Sequence, residues 1–119
     1  MVDIEVLKDK ALAFAIRIVL IYKQLCDGKK DFPLARQVLQ SGTSIGESLE
    51  EAIGAHSDKD FSGRLRCAYK ESRKTMYWLR LLLVGDFITQ EQAYDFLEDI
   101  EEISNLLKAA QTAPSKHFY

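Results

Sequence analysis

The chain has 119 residues, 47% of them hydrophobic and 29% charged, with a formal charge of −2 at neutral pH. That length fits one domain, and the balance excludes disorder and leaves no whole-protein attraction for phosphate. Two cysteines, Cys26 and Cys67, are too few for a disulfide framework, and neither lies in a Cys-x-x-Cys pair.

A chain of this size buries roughly two-thirds of its unfolded surface, so it holds a core without disulfide or metal. The apolar runs are too short for a conventional membrane span. The opening MVDIEVLKDK lacks the basic-then-apolar pattern of a signal peptide, so a cytoplasmic protein is expected.

The first helix is predicted from about Asp3 to Asp27, with Asp3 as N-cap and Gly28 beyond its end. Ile4, Leu7, Ala11, Phe14, Ile18, Ile21 and Leu25 alternate at three and four residues and form one stripe. Leu12, Ile16, Val19 and Leu20 make this helix greasy on a second face. A second stripe means a second neighbour, either a helix of the same bundle or another subunit.

Pro33 starts the next helix, with Asp31 or Phe32 at its cap, and Leu34, Val38, Ser41, Ile45, Leu49 and Ala52 carry the stripe to about Ala55. Its middle, QSGTSIG, is poor in helix formers. It lacks the lysine and glycine spacing of a phosphate loop, and no strand precedes it. Close approach by a neighbouring helix explains the small residues better.

Ser57 or Asp58 caps the third helix, whose stripe is Phe61, Leu65, Ala68, Ser72, Thr75, Leu79 and Leu82, with Gly85 at its end. The hydroxyls of Ser72 and Thr75 then need partners inside the core. Cys67, beside apolar positions, reads as a buried inert thiol. Thr89 with Gln92 is a capping-box pattern for the fourth helix, which buries Ala93, Phe96, Ile100, Ile103, Leu107 and Ala110. The expected architecture is all-α, an antiparallel up-down-up-down four-helix bundle over residues 1–111, with a short tail over 112–119 ending in Phe118 and Tyr119.

Catalytic chemistry finds little footing. His56 and His117 fall in a loop and the tail, which removes Ser-His-Asp and Cys-His arrangements and the Glu-x-x-His pairs of a di-metal bundle. No enzyme activity, cofactor or metal is expected. Glu51 lies nearest the apolar side of the Glu47, Glu50 and Glu51 cluster and is placed to meet a hydroxyl or an arginine.

The charge pattern says more. Residues 59–80 carry seven cations against Asp60 and Glu71, a local +5, and residues 89–108 carry six acids against Lys108, a local −5. Arg66, Lys70, Arg73 and Arg80 share one face of the third helix, opposite its core stripe, with Tyr77 in the gap. Such a ridge can follow a phosphate backbone. The plainer reading has the basic helix neutralised by the acidic one, in the same subunit or the next.

Gln37, Ser44-Ile45, Glu51, Asp60-Phe61, Lys70-Glu71 and Tyr77-Trp78-Leu79 together carry a resemblance. Over about residues 10 to 110 the chain resembles the bacterial four-helix-bundle family of proteins encoded within intervening sequences of 23S ribosomal RNA genes. It departs from the family pattern at Ser48, Ala52 and Lys74, where Asn, Gly and Glu are usual. The resemblance implies an antiparallel bundle that assembles into a homopentamer, with Leu12, Ile16, Val19 and Leu20 suited to the interface. A related branch, the accessory proteins of diversity-generating retroelements, is strongly basic and binds nucleic acid. Two functions follow as expectations. One is a non-enzymatic, self-assembling scaffold for RNA or a ribonucleoprotein; the other is a protein–protein adaptor without nucleic-acid binding.

Overall fold

The computed structural model describes residues 2–28 and 32–112. Four helices follow one another: α1 Ile4–Leu25, α2 Pro33–Ile53, α3 Asp58–Val84 and α4 Gln90–Thr112. No strand occurs among the described residues. Each helix packs on its neighbours in chain order, and α4 returns to α1 to close a four-sided bundle. The α2–α3 side is the most intimate and the α1–α4 side the loosest. The proposed tail, apart from Thr112 at the end of α4, lies outside the described residues.

The helix starts follow local chemistry. Asp3 Oδ1 accepts from the free amide of Glu5 at 2.9 Å and Ser57 Oγ accepts from Asp60 N at 3.1 Å, each satisfying an orphan donor of a first turn. At α4 the capping box is reciprocal: Gln92 N donates to Thr89 Oγ1 at 3.0 Å, and Thr89 N donates to Gln92 Oε1 at 2.9 Å. Pro33 takes the first position of α2, where a missing N–H costs nothing, behind Phe32 as a cap without a side-chain bond. Phe32 instead meets Phe87 edge to face, ring centroids 4.8 Å apart, joining the α1–α2 and α3–α4 connections at one end of the bundle.

The inward stripes are those the periodicity predicts for α1, α3 and α4, all buried, with Met76 and Ser104 added. In α2, Leu34 is only half-buried and Ala35 takes the core place. Both residues sit one turn before Val38, and the smaller side chain fills the inner position while Leu34 packs at the rim. Burying each aliphatic side chain of this core contributes about 1.5–3 kcal/mol, which makes the stripes the main source of stability.

The QSGTSIG stretch is helical throughout. Ser41, Thr43 and Ser44 turn their hydroxyls back onto the carbonyls of Gln37, Leu39 and Gln40 at 2.9, 2.7 and 2.6 Å, so none competes with the helix for an outside partner. Gly42 explains the small residues. A Cβ there would lie 3.1 Å from both Cγ1 and Cγ2 of the buried Ile18, so α1 and α2 meet at that point because the side chain is missing.

Four hydroxyls enter the core and find one another. Thr75 Oγ1 lies 3.0 Å from Ser41 Oγ, linking α3 to α2. Ser72 Oγ lies 3.1 Å from Ser104 Oγ, linking α3 to α4. Ser72 and Thr75 also have the carbonyls of Tyr69 and Glu71 at 2.6 and 2.8 Å, so the single proton of each has an acceptor and the need for partners read in the sequence is met.

Candidate functional site

The outer face of α3 is the first candidate. Arg66, Lys70, Arg73 and Arg80 are all exposed, and Tyr77 between the last two is 55% exposed. No ion pair joins any of these four cations to an acid among the described residues. Arg73 makes only a weak contact to Met76 Sδ at 3.8 Å. Because α3 begins at Asp58, Lys59 is already helical and stands two turns before Arg66 on the same line. The seven-residue spacing from Lys59 to Arg66 extends the ridge by two turns.

Two further cations of this helix do not join it. Arg64 turns to α2, with Nη1 2.6 Å from Glu51 Oε2, and it also meets Asp60 of its own helix at 3.6 Å. Lys74 pairs with Glu71 one turn away at 3.3 Å. Glu51 therefore meets an arginine rather than a hydroxyl, and Glu71 is used within α3.

Three acids of α4, Asp95, Asp99 and Glu102, face the other way. Lys10 Nζ is 2.6 Å from Glu102 Oε1, and Arg17 binds both Asp95, at 3.3 Å, and Asp99. Arg17 also lies over the Phe96 ring, 4.6 Å from its centroid. The hydrogen bond to Glu102 holds the Lys10 ammonium above its ordinary pKa of 10.5. Among the described residues no ion pair joins the ridge cations to α4 of the same chain. These three acids project toward the loose α1–α4 side, where they close ion pairs over open grooves. One groove of about 430 Å³ runs beneath Val6, Lys10, Glu102 and Leu106, and the next, about 230 Å³, beneath Lys10, Arg17, Asp99 and Glu102.

The outer face of α1 is the second candidate. Leu12, Ile16, Val19 and Leu20 are 58, 53, 41 and 56% exposed, a contiguous apolar strip on the side away from the core. Among the described residues no other helix covers it. Scattered exposed apolar residues need no explanation, but four on one face make this strip a candidate contact surface.

Cys67, expected to be buried, is exposed. It sits one residue short of the core position Ala68 and faces a surface cavity of about 440 Å³ lined by Ser57, Lys59, Asp60, Gly63 and Arg64. Gly63, with no side chain, leaves that surface uncovered. His56 is exposed in the α2–α3 connection, and among the described residues no group of His, Cys, Asp and Glu is arranged to hold a metal ion. Among them also, no helix is long and apolar enough to cross a membrane.

No curated protein matches the chain. A solved structure of a protein of unknown function from the S23 ribosomal protein family of Bacteroides thetaiotaomicron VPI-5482 does. It is 44% identical, with a TM-score of 0.89 over 92% of this chain and 98% of that one. The model of the 23S rRNA-intervening sequence proteins matches residues 3–109, from the cap of α1 almost to the end of α4. With nearly the whole bundle covered by that model and a close structural relative beside it, the chain belongs to the 23S rRNA-intervening sequence protein family.

Proposed function

We propose that this protein is a non-enzymatic scaffold that assembles with copies of itself, as a homopentamer, and presents the basic face of α3 to RNA. The observation that carries the reading is the distribution of charge partners. The acids Asp95, Asp99 and Glu102 of α4 are engaged with Lys10 and Arg17 of α1, while Lys59, Arg66, Lys70, Arg73 and Arg80 stand without an acid partner among the described residues. Cations left unpaired in a line supply the counterion-releasing contacts that bind a polyanion. The family name and the relative's name both refer to ribosomal components, which makes RNA the polyanion to test first. The apolar strip of α1 supports self-association, and five copies would repeat the α3 ridge around one assembly, multiplying weak contacts.

Fluorescence anisotropy with structured RNA tests the binding half. Affinity falls steeply with salt, and the Arg66→Ala/Lys70→Ala/Arg73→Ala variant binds more weakly with a log–log salt slope smaller by about 2. Flat, salt-insensitive traces would overturn it and leave the adaptor reading. Light scattering coupled to size exclusion, at low and high salt, tests the assembly half. A mass near five chains at both salts is expected, and a single-chain mass would remove it.

A further inference from the structure

The aromatic residue in the ridge carries information that the cations do not. Phosphates are offered by single strands and duplexes alike, so a line of Arg and Lys attracts both. Tyr77 stands one turn beyond Arg73 and nearly one turn before Arg80, within a cationic line whose rise from Arg66 to Arg80 is about 21 Å. More than half of Tyr77 is exposed, and it belongs to no buried cluster. Its neighbour Trp78 braces it edge to face, ring centroids 4.9 Å apart at 70°. A braced ring loses less rotamer freedom when a flat partner settles on it.

A paired base has its faces covered by its neighbours in the stack, whereas an unpaired base can lie on an aromatic side chain. We infer that the α3 ridge selects single-stranded RNA, one unpaired base stacking on Tyr77 while Arg73 and Arg80 hold the phosphates on either side. This rests on the RNA reading of the ridge and narrows it to a class of RNA.

The test compares a fluorescein-labelled single-stranded RNA without self-complementarity and the same strand annealed to its complement, at one salt concentration. The single strand binds about tenfold more tightly, within the range one stacked base contributes. Tyr77→Ala weakens single-strand binding by about tenfold and leaves duplex binding unchanged, and Tyr77→Phe, which keeps the ring, retains the preference. Tyr77 is exposed, so the variants fold, and a circular dichroism melt checks that they do. Equal binding of the two RNAs, or a Tyr77→Ala variant indistinguishable from the parent, overturns the selection. In that case the RNA reading still stands if the Arg66→Ala/Lys70→Ala/Arg73→Ala variant loses affinity for both. Absence of binding to either RNA removes both the reading and the inference.

Discussion

The outer faces of α1 and α3 make an instructive pair. Both helices turn an unbroken stripe of buried residues inward, yet outward α1 is apolar and α3 is basic. The difference lies less in how many cations each helix has than in where they sit around it. Lys10 and Arg17 are on the flank of α1, within reach of α4, and become part of the fold. The ridge cations lie off the α3 core stripe and pair with no acid among the described residues. Angular position decides whether a charge holds the bundle together or faces a partner.

The largest effect that breaks or sharpens this contrast is on assembly. Ile16→Glu with Leu20→Glu puts like charges into the proposed interface, where each juxtaposition costs several kcal/mol, and the scattering mass should drop to one chain. Arg73→Glu on the other face should leave the mass alone. Equal masses for the two variants would erase the distinction between the faces.

Next in size is the flank of α1. Arg17→Met removes the pairs to Asp95 and Asp99 and the cation over Phe96, lowering stability by about 1–2 kcal/mol given the partial exposure of the site. Arg73→Met, with no acid to lose, should leave the urea midpoint in place. Comparable losses in the two would show that Arg73 also serves the fold.

The inner side offers a smaller test, in which two glycines of one helix should respond differently. Gly46→Ala meets only Ala11 Cβ at 3.9 Å, ordinary contact, and should gain about 1 kcal/mol of helix propensity. Gly42→Ala presses on Ile18 at 3.1 Å and should show no such gain, because the methyl meets a fully buried side chain. Thermal melts of the two variants separate them.

The smallest effect is titration. Glu102 raises the Lys10 pKa in the folded chain above the 10.5 of the unfolded one. The contribution is therefore fully present below pH 10.5 and fades as pH rises through the higher folded value. Denaturation of the parent and Lys10→Met across that range should converge at the alkaline end, and a constant gap would exclude the Glu102 pair as its source.

Much of this was legible in the residues. The stripes of α1, α3 and α4 repeat at three and four residues, and burial follows that period because packing one face is what stabilises a helix in water. The Thr89–Gln92 box could be read because both partners lie in one turn. What escaped depended on lateral order. A sequence shows which face of α4 is acidic but not which neighbour that face meets, so the partner of Asp95, Asp99 and Glu102 was open until α1 lay beside them. Ser104 was missed because it stands next to Ile103, off the simple alternation, and only the facing Ser72 explains its burial. Cys67 was misjudged by one residue, which on a helix is about 100° of rotation. The spacing of the outward ridge could be read directly, but whether its charges were paired depended on the neighbouring helix in the same way.

The core hydroxyls have a consequence for how the bundle could be altered. Ser41, Ser72 and Thr75 each reach a carbonyl of their own helix, so their presence inside does not depend on the cross-helix contacts. What the contacts from Thr75 to Ser41 and from Ser72 to Ser104 add is a vernier mark. Apolar stripes match again after a slide of one heptad, about 10.5 Å, but the two hydroxyl pairs coincide at a single setting. Replacing all four by aliphatic residues would leave α2, α3 and α4 free to trade one alignment for another, and the cost would show as loss of a unique structure before loss of stability.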